Sequence, residues 1–415
     1  MRTRSSAGRG LGGRATAVAT CLLTALATVT TLGPAAPPVA AVAVNQAFSV
    51  PDDHLLTVRG HGFGHGHGMS QYGARGAAEQ GLSHRQILEF YYPGTSWGEV
   101  SGTVRVLVTG DTTRDLVVSP APGLRLRDLG RAKTYELPAI RGVKRWRLDV
   151  ARGRTVVDYL TDRWRRWRPG GAATLAGDGQ LRARGPLTLW TPSGPVRYRG
   201  TLRAASPAPG SAERDTVNIV SVDTYVKGVI PAEMPASWHP EAVRAQAVAA
   251  RTYASWSRAE QSGRYYQICD TTACQVYRGV DGEHALGNAA VDATRRQILT
   301  YQGQPAFTQF SSSSGGFTAA GSRPYLVAQP DPYDAHAGNP GHAWETRVDA
   351  RRLERAYPAL GEIRRIQVVS RDGNGEWQGR VWSMVLDGTK ADRTISGDTF
   401  RWLYGLRSSW FTFAP

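Results

Sequence analysis

Tyr225-Val226-Lys227-Gly228-Val229-Ile230-Pro231-Ala232-Glu233-Met234-Pro235, continuing through Trp238-His239-Pro240-Glu241-Ala242-Val243-Arg244-Ala245-Gln246-Ala247-Val248-Ala249-Ala250-Arg251-Thr252-Tyr253, is the stretch on which the fold turns. Residues 225–230 read as a short amphipathic, strand-like run. Pro231 and Pro235 then bracket one carboxylate. Proline fixes its own φ and restricts the residue before it, so Glu233 is expected on a stiff, non-helical corner. A long helix follows, with Pro240 in its first turn and Glu241 near its positive end. Its alanines make a thin shaft that other backbone can approach closely. Two readings of Glu233 stand side by side. Burial between apolar neighbours would raise its pKa and keep a proton ready for donation. Pairing with Arg244 or Arg251 would make it a structural clamp.

This stretch resembles the signature of the SpoIID/LytB family, which includes the stage II sporulation protein D lytic transglycosylases and the LytB amidase modifiers. The resemblance implies that Glu233 is the catalytic acid. It implies a glycan substrate, peptidoglycan strands stripped of stem peptides, and a companion cell-wall amidase. Arg251, Gln246, Gln275 and Tyr325 are then expected to orient or line the glycan. Ser313 and Ser314 belong to Ser311-Ser312-Ser313-Ser314-Gly315-Gly316. The family carries a comparable Ser/Thr-rich stretch ending in two glycines, and hydroxyls followed by glycine amides suit sugar hydroxyls.

Upstream, Arg59-Gly60-His61-Gly62-Phe63-Gly64-His65-Gly66-His67-Gly68-Met69-Ser70-Gln71-Tyr72 alternates glycine with polar residues. Alternating glycine cannot support a regular helix and lets backbone approach a ligand. His65, His67 and Gln71 are expected to line a substrate groove, with glycine-permitted packing as the other reading. The run supplies no carboxylate or thiol to complete a metal site, and none is assigned. It also looks like SpoIID/LytB sequence, although it stands N-terminal to the glutamate motif, where the family usually has it C-terminal. A permuted order follows, with this segment packing back on the catalytic unit.

The chain is long enough, at 415 residues, for two or three lobes. Arg2, Arg4, Arg9 and Arg14 precede an uncharged run over residues 15–32 and small-residue cleavage sites near Ala43. Residues 1–43 are therefore expected to be a secretory signal, with no transmembrane segment after cleavage. Of the formal net charge of +16, the leader's four arginines account for four, leaving +12. For an exported, cell-wall protein the anionic envelope is a more economical partner than nucleic acid, and no nucleic acid is expected. Arginine as this genome's preferred cation is the bland alternative. Cys269 and Cys274, an even pair in an oxidising compartment, are expected as a disulfide. Some relatives bind zinc in this loop, but two thiolates with no histidine in the loop do not complete a tetrahedral site.

Residues 100–202 shift to strand-like pieces separated by Gly, Pro and Asp turns, which argues for an antiparallel β lobe. Asp162-Arg163-Trp164-Arg165-Arg166-Trp167-Arg168 within it reads as cross-strand tryptophan packing beneath solvated arginines. The expected organisation is a mixed α+β protein: leader 1–43, Gly/His segment 44–99, antiparallel β lobe 100–210 and catalytic domain 211–415. No cofactor is expected.

Overall fold

The computed structural model describes residues 41–414. The expected leader lies outside the described residues except for its last three positions. Two of these, Val42 and Ala43, open the strand Val42–Ser49.

The fold is mixed α+β. Seven α-helices occur among the described residues: α1 (Gln71–Glu79), α2 (His84–Tyr91), α3 (Val222–Glu233), α4 (Pro240–Glu260), α5 (Ala285–Ala293), α6 (Arg351–Ala356) and α7 (Gly397–Tyr404). α4 is the hub, packing against α1, α2, α3, α5 and the strand Gln297–Tyr301. Its sequence explains both its length and its place. Pro240 starts it, where a missing amide costs nothing, and the His239 side chain accepts from the Glu241 amide. Ala242, Ala245, Ala247, Ala249 and Ala250 are all buried, so helices on several sides come close to its axis.

α3 corrects the expectation for the decisive stretch. Residues 225–230 are helical rather than strand-like, and Glu233 is the last residue of the helix rather than part of a non-helical corner. Pro231 lies in the final turn and removes only one amide near the helix end. Burial of Tyr225, Val226, Val229 and Ile230 against the core outweighs that loss. The stiff corner expected from two prolines forms one residue later, at Met234, where the backbone turns extended.

The β lobe is antiparallel throughout residues 116–205 but is not self-contained. A seven-stranded sheet runs in the order Ile268–Cys269, Thr103–Leu107, Asp215–Ser221, Thr201–Ala205, Gly179–Arg182, Arg125–Asp128, Lys133–Glu136. The strand after position 210 is thus an interior member of the lobe's own sheet. A six-stranded sheet packs with it, and α1–α5 and both sheets share one hydrophobic core. Asp162–Arg168 behaves as its pattern suggests: Trp167 meets Trp146 at 5.6 Å, and Arg147 covers Trp164 at 4.3 Å.

The C-terminal residues, expected within the catalytic domain, build a second core with the N-terminal strands. Val42–Ser49 pairs with Ile363–Arg371 and Leu55–His61 pairs with both Ala343–Asp349 and Phe411–Phe413. Leu56, Val58, Ile366, Met384, Phe400 and Phe411 fill that core. The Gly/His run leads from this second core to α1. Gly62, Gly64, Gly66 and Gly68 all have positive φ, so the alternation is a backbone requirement.

Candidate active site

Glu233 is placed by three elements. α3 carries it, and the loop after Ile268–Cys269 closes over it. Gly228 on α3 permits that closure, because a Cβ there would sit 2.6 Å from the Tyr277 ring. Tyr277 donates its hydroxyl to Asn218 Oδ1 at 2.8 Å, and Tyr225 on α3 donates to Gln275 Oε1 at 3.2 Å. So fastened, the loop directs the Val276 amide at Glu233 Oε1, 2.9 Å away. The disulfide Cys269–Cys274 ties the same loop.

The third element is the Gly/His run, which brings in His65. Glu233, His65, Tyr253, Thr272, Ala273, Cys274, Gln275, Gln309 and Phe310 line a cleft of about 280 Å³. Among the described residues, Glu233 is the one carboxylate in that lining. No cation pairs with it there either: Arg244 binds Glu241, and Arg251 binds Asp223 at 2.7 Å. The pairing with Arg244 or Arg251 that a clamp would use is therefore absent. Burial pushes its carboxyl above the ordinary value of 4.5, and the hydrogen bond from the Val276 amide opposes this only in part.

His65 is neutral. Burial lowers its pKa to about 3, helped by the nearby His67, Arg380 and Arg401. Its Nδ1 accepts the His67 amide at 2.9 Å, so the ring proton resides on Nε2. A second depression, of about 290 Å³, begins on the other side of His65, lined also by His67, Arg380, Trp382 and Asp398.

Several expected contact residues are not in the cleft. Arg251 is fully buried, with its guanidinium on Asp223 and on the Ala247, Val291 and Gln297 carbonyls. Gln246 and Gln71 are buried and meet each other at 3.4 Å. Ser313 donates to Asp334, and Ser314 to Asp331 at 2.8 Å, so both hydroxyls are already occupied. Tyr325 is buried, and its hydroxyl accepts the Phe307 amide. His67 lines the neighbouring depression, not the cleft. Gln275 does line the cleft, though its amide is held by Tyr225 and the Ala250 carbonyl.

The hydroxyl-rich stretch serves instead a buried polar knot. Asp334 accepts from Ser70, Ser313, Asn339, His342 and the Ser314 and Gly315 amides. Burial alone would raise its pKa, but these bonds outweigh it and hold the carboxyl below the usual range. Asp331, beside it, is driven up to about 6 by burial and by the Asp334 charge. Sequence reasoning missed this knot, although Asp331-Pro332-Tyr333-Asp334 signals it. It also missed as lining residues Tyr253, which ends the opening stretch, and Gln309-Phe310, which adjoins the serine run. Among the described residues, no group of three or more His, Cys, Asp or Glu side chains is placed to hold a metal ion.

Residues 211–301 match the family described as SpoIID, Stage II sporulation protein. The match is confined to this segment. It holds α3, α4 and the Cys269–Cys274 loop, that is, the glutamate and most of its cleft. Similar proteins include the Amidase enhancer of Bacillus subtilis, 38% identical over 140 residues, covering 32% of this chain and 19% of that protein. Stage II sporulation protein D of B. subtilis is 34% identical over 140 residues, covering 29% of this chain and 41% of that one. Its namesake from Bacillus amyloliquefaciens is 28% identical over 218 residues, covering 47% and 61% respectively. The matches thus span less than two thirds of each relative's length.

Proposed function

We infer that the protein is an exported peptidoglycan lytic transglycosylase in which Glu233 serves as both acid and base. The observation that carries this is the lone carboxyl in the cleft, raised above its ordinary pKa by burial and without a cation. Because Oε1 accepts the Val276 amide, Oε2 is the oxygen that holds the proton. Oε2 gives that proton to the glycosidic oxygen as the bond to the muramyl C1 breaks. The resulting carboxylate then takes the proton of the muramyl C6 hydroxyl while O6 bonds to C1. A 1,6-anhydro sugar and a free hydroxyl on the leaving sugar result, and no water enters. Ordinary glycosidases need a second carboxylate as nucleophile or base, about 5–9.5 Å from the first. An internal nucleophile removes that need.

The test is mass spectrometry of fragments released from peptide-stripped peptidoglycan by the protein and by Glu233→Gln. Ends bearing 1,6-anhydro-muramic acid, absent with the variant, are expected. Reducing ends would instead mean hydrolysis with water as the nucleophile. The likeness to an Amidase enhancer favours a second reading, a non-catalytic wall-binding protein that stimulates an N-acetylmuramoyl-L-alanine amidase. Undiminished amidase stimulation by Glu233→Gln, with no glycan release by either protein, would select it.

A further inference from the structure

The outer face of the seven-stranded sheet carries a feature that the cleft does not explain. A groove of about 500 Å³ lies there, lined by Arg125, Arg127, Arg182 and Arg184 with Thr134, Gln180 and Thr201. Strand register puts these arginines together. Arg125 stands directly opposite Arg182, and Arg127, two residues along the same strand, opposite Gln180. Side chains two apart share a face of a strand, so Arg125 and Arg127 point the same way as Arg182. Like charges directly opposite across an antiparallel pair are destabilising. Arg125 is partly relieved by Glu136 at 2.8 Å. Arg127, Arg182 and Arg184 are exposed, and among the described residues none has a carboxylate within ion-pair reach. Elsewhere in this lobe, crowded arginines surround acids: Arg147 and Arg166 share Asp158, and Arg203 binds Asp178. A general preference for arginine explains the number of cations but not an unneutralised cluster within a concave surface.

We propose that this groove binds an anionic polymer of repeating phosphodiesters that carries no bases, such as poly(glycerol phosphate). The guanidinium fork matches a phosphate bidentately and stays charged at any physiological pH. Alternate residues of a strand are ~7 Å apart, a spacing that phosphates joined through a three-carbon unit can follow. Nucleic acid shares the phosphodiester but not the rest. Single-stranded nucleic acid is held by aromatic platforms as well as charge, and no aromatic side chain lines the groove. The groove is separate from the Glu233 cleft in its lining residues, so this binding stands or falls independently of the glycan chemistry.

The experiment is titration of the whole protein with poly(glycerol phosphate) across a salt series, beside Arg127→Gln/Arg182→Gln and a charge-matched control, Arg163→Gln/Arg168→Gln. All four positions are exposed, so the fold is retained, which circular dichroism checks. The groove variant is expected to bind at least tenfold more weakly, with a salt slope smaller by roughly one per arginine removed. The control and Glu233→Gln are expected to bind like the parent. Equal weakening in the control would reduce the effect to net charge and overturn the proposal. So would a single-stranded oligonucleotide of equal charge bound as tightly, or no binding of the polymer in low salt.

Discussion

Glu233 shows how much of a residue's chemistry is its surroundings. Its carboxyl is the same group as Glu241 eight positions later, yet the two titrate in opposite directions. Burial acts to raise both. At Glu241 the His84 amide and ring and the Arg244 guanidinium outweigh it and hold the carboxyl at about 2. At Glu233 a single backbone amide does not outweigh it. The consequence for stability has a definite sign. A carboxyl whose folded pKa is raised adds nothing adverse below its unfolded value and costs stability as pH climbs through its folded value. Glu233→Gln is therefore expected to match the parent in thermal stability below pH 4.5 and to exceed it by a margin that grows until pH passes the folded value and is then constant. Melting temperatures across a pH series check this, and an advantage that shrank with rising pH would contradict it. The same shift extends the proton-donating form to higher pH than an ordinary glutamate allows.

At the scale of elements, the motif's second charged landmark is a structural rivet. Arg251 of α4 joins the first turn of α3 through Asp223, reaches α5 through the Val291 carbonyl and the strand Gln297–Tyr301 through the Gln297 carbonyl. Asp223 at the N-terminus of α3 suits the positive end of that helix, and Arg251 completes the pair. Arg251→Met removes the buried cation and leaves unpaired an Asp223 whose side chain is already 24% exposed in the parent. The expected loss is about 3 kcal/mol, the low end for breaking a buried pair, because water reaches the remaining partner. Urea unfolding measures it. Glycan affinity of the folded variant should be retained, and a stable variant that had lost affinity would return Arg251 to the substrate.

At the scale of the molecule, the sequence order and the spatial order differ. N-terminal strands pair with C-terminal ones in the second core, and the Gly/His run crosses from there to the cleft. The Asp334 knot holds that crossing in place, since Ser70 follows the run and Ser313, Asn339 and His342 come from segments far along the chain. Asp334→Asn leaves several buried donors facing an amide, and a loss on the order of 3 kcal/mol is expected from thermal unfolding near pH 6. Unchanged stability would show that the knot is incidental.

The mixed α+β class, the antiparallel β lobe and the long helix α4 are legible from the sequence alone. So is the half-cystine pair. These depend on local periodicity, on proline and glycine placement and on short sequence separations, all of which one strand of text displays. The helical state of residues 225–230 was not legible, because a run with three β-branched residues followed by two prolines becomes helix only when its apolar face is buried in the core. That Glu233 stands without an arginine partner was not legible either. It depended on Arg244 and Arg251 finding other partners. The serines failed for the same reason: a hydroxyl's availability is decided by which acceptor folds beside it. Sequence carries the identity of each donor, acceptor and charge, whereas burial and pairing arise from contacts between distant segments, and these only the tertiary structure decides.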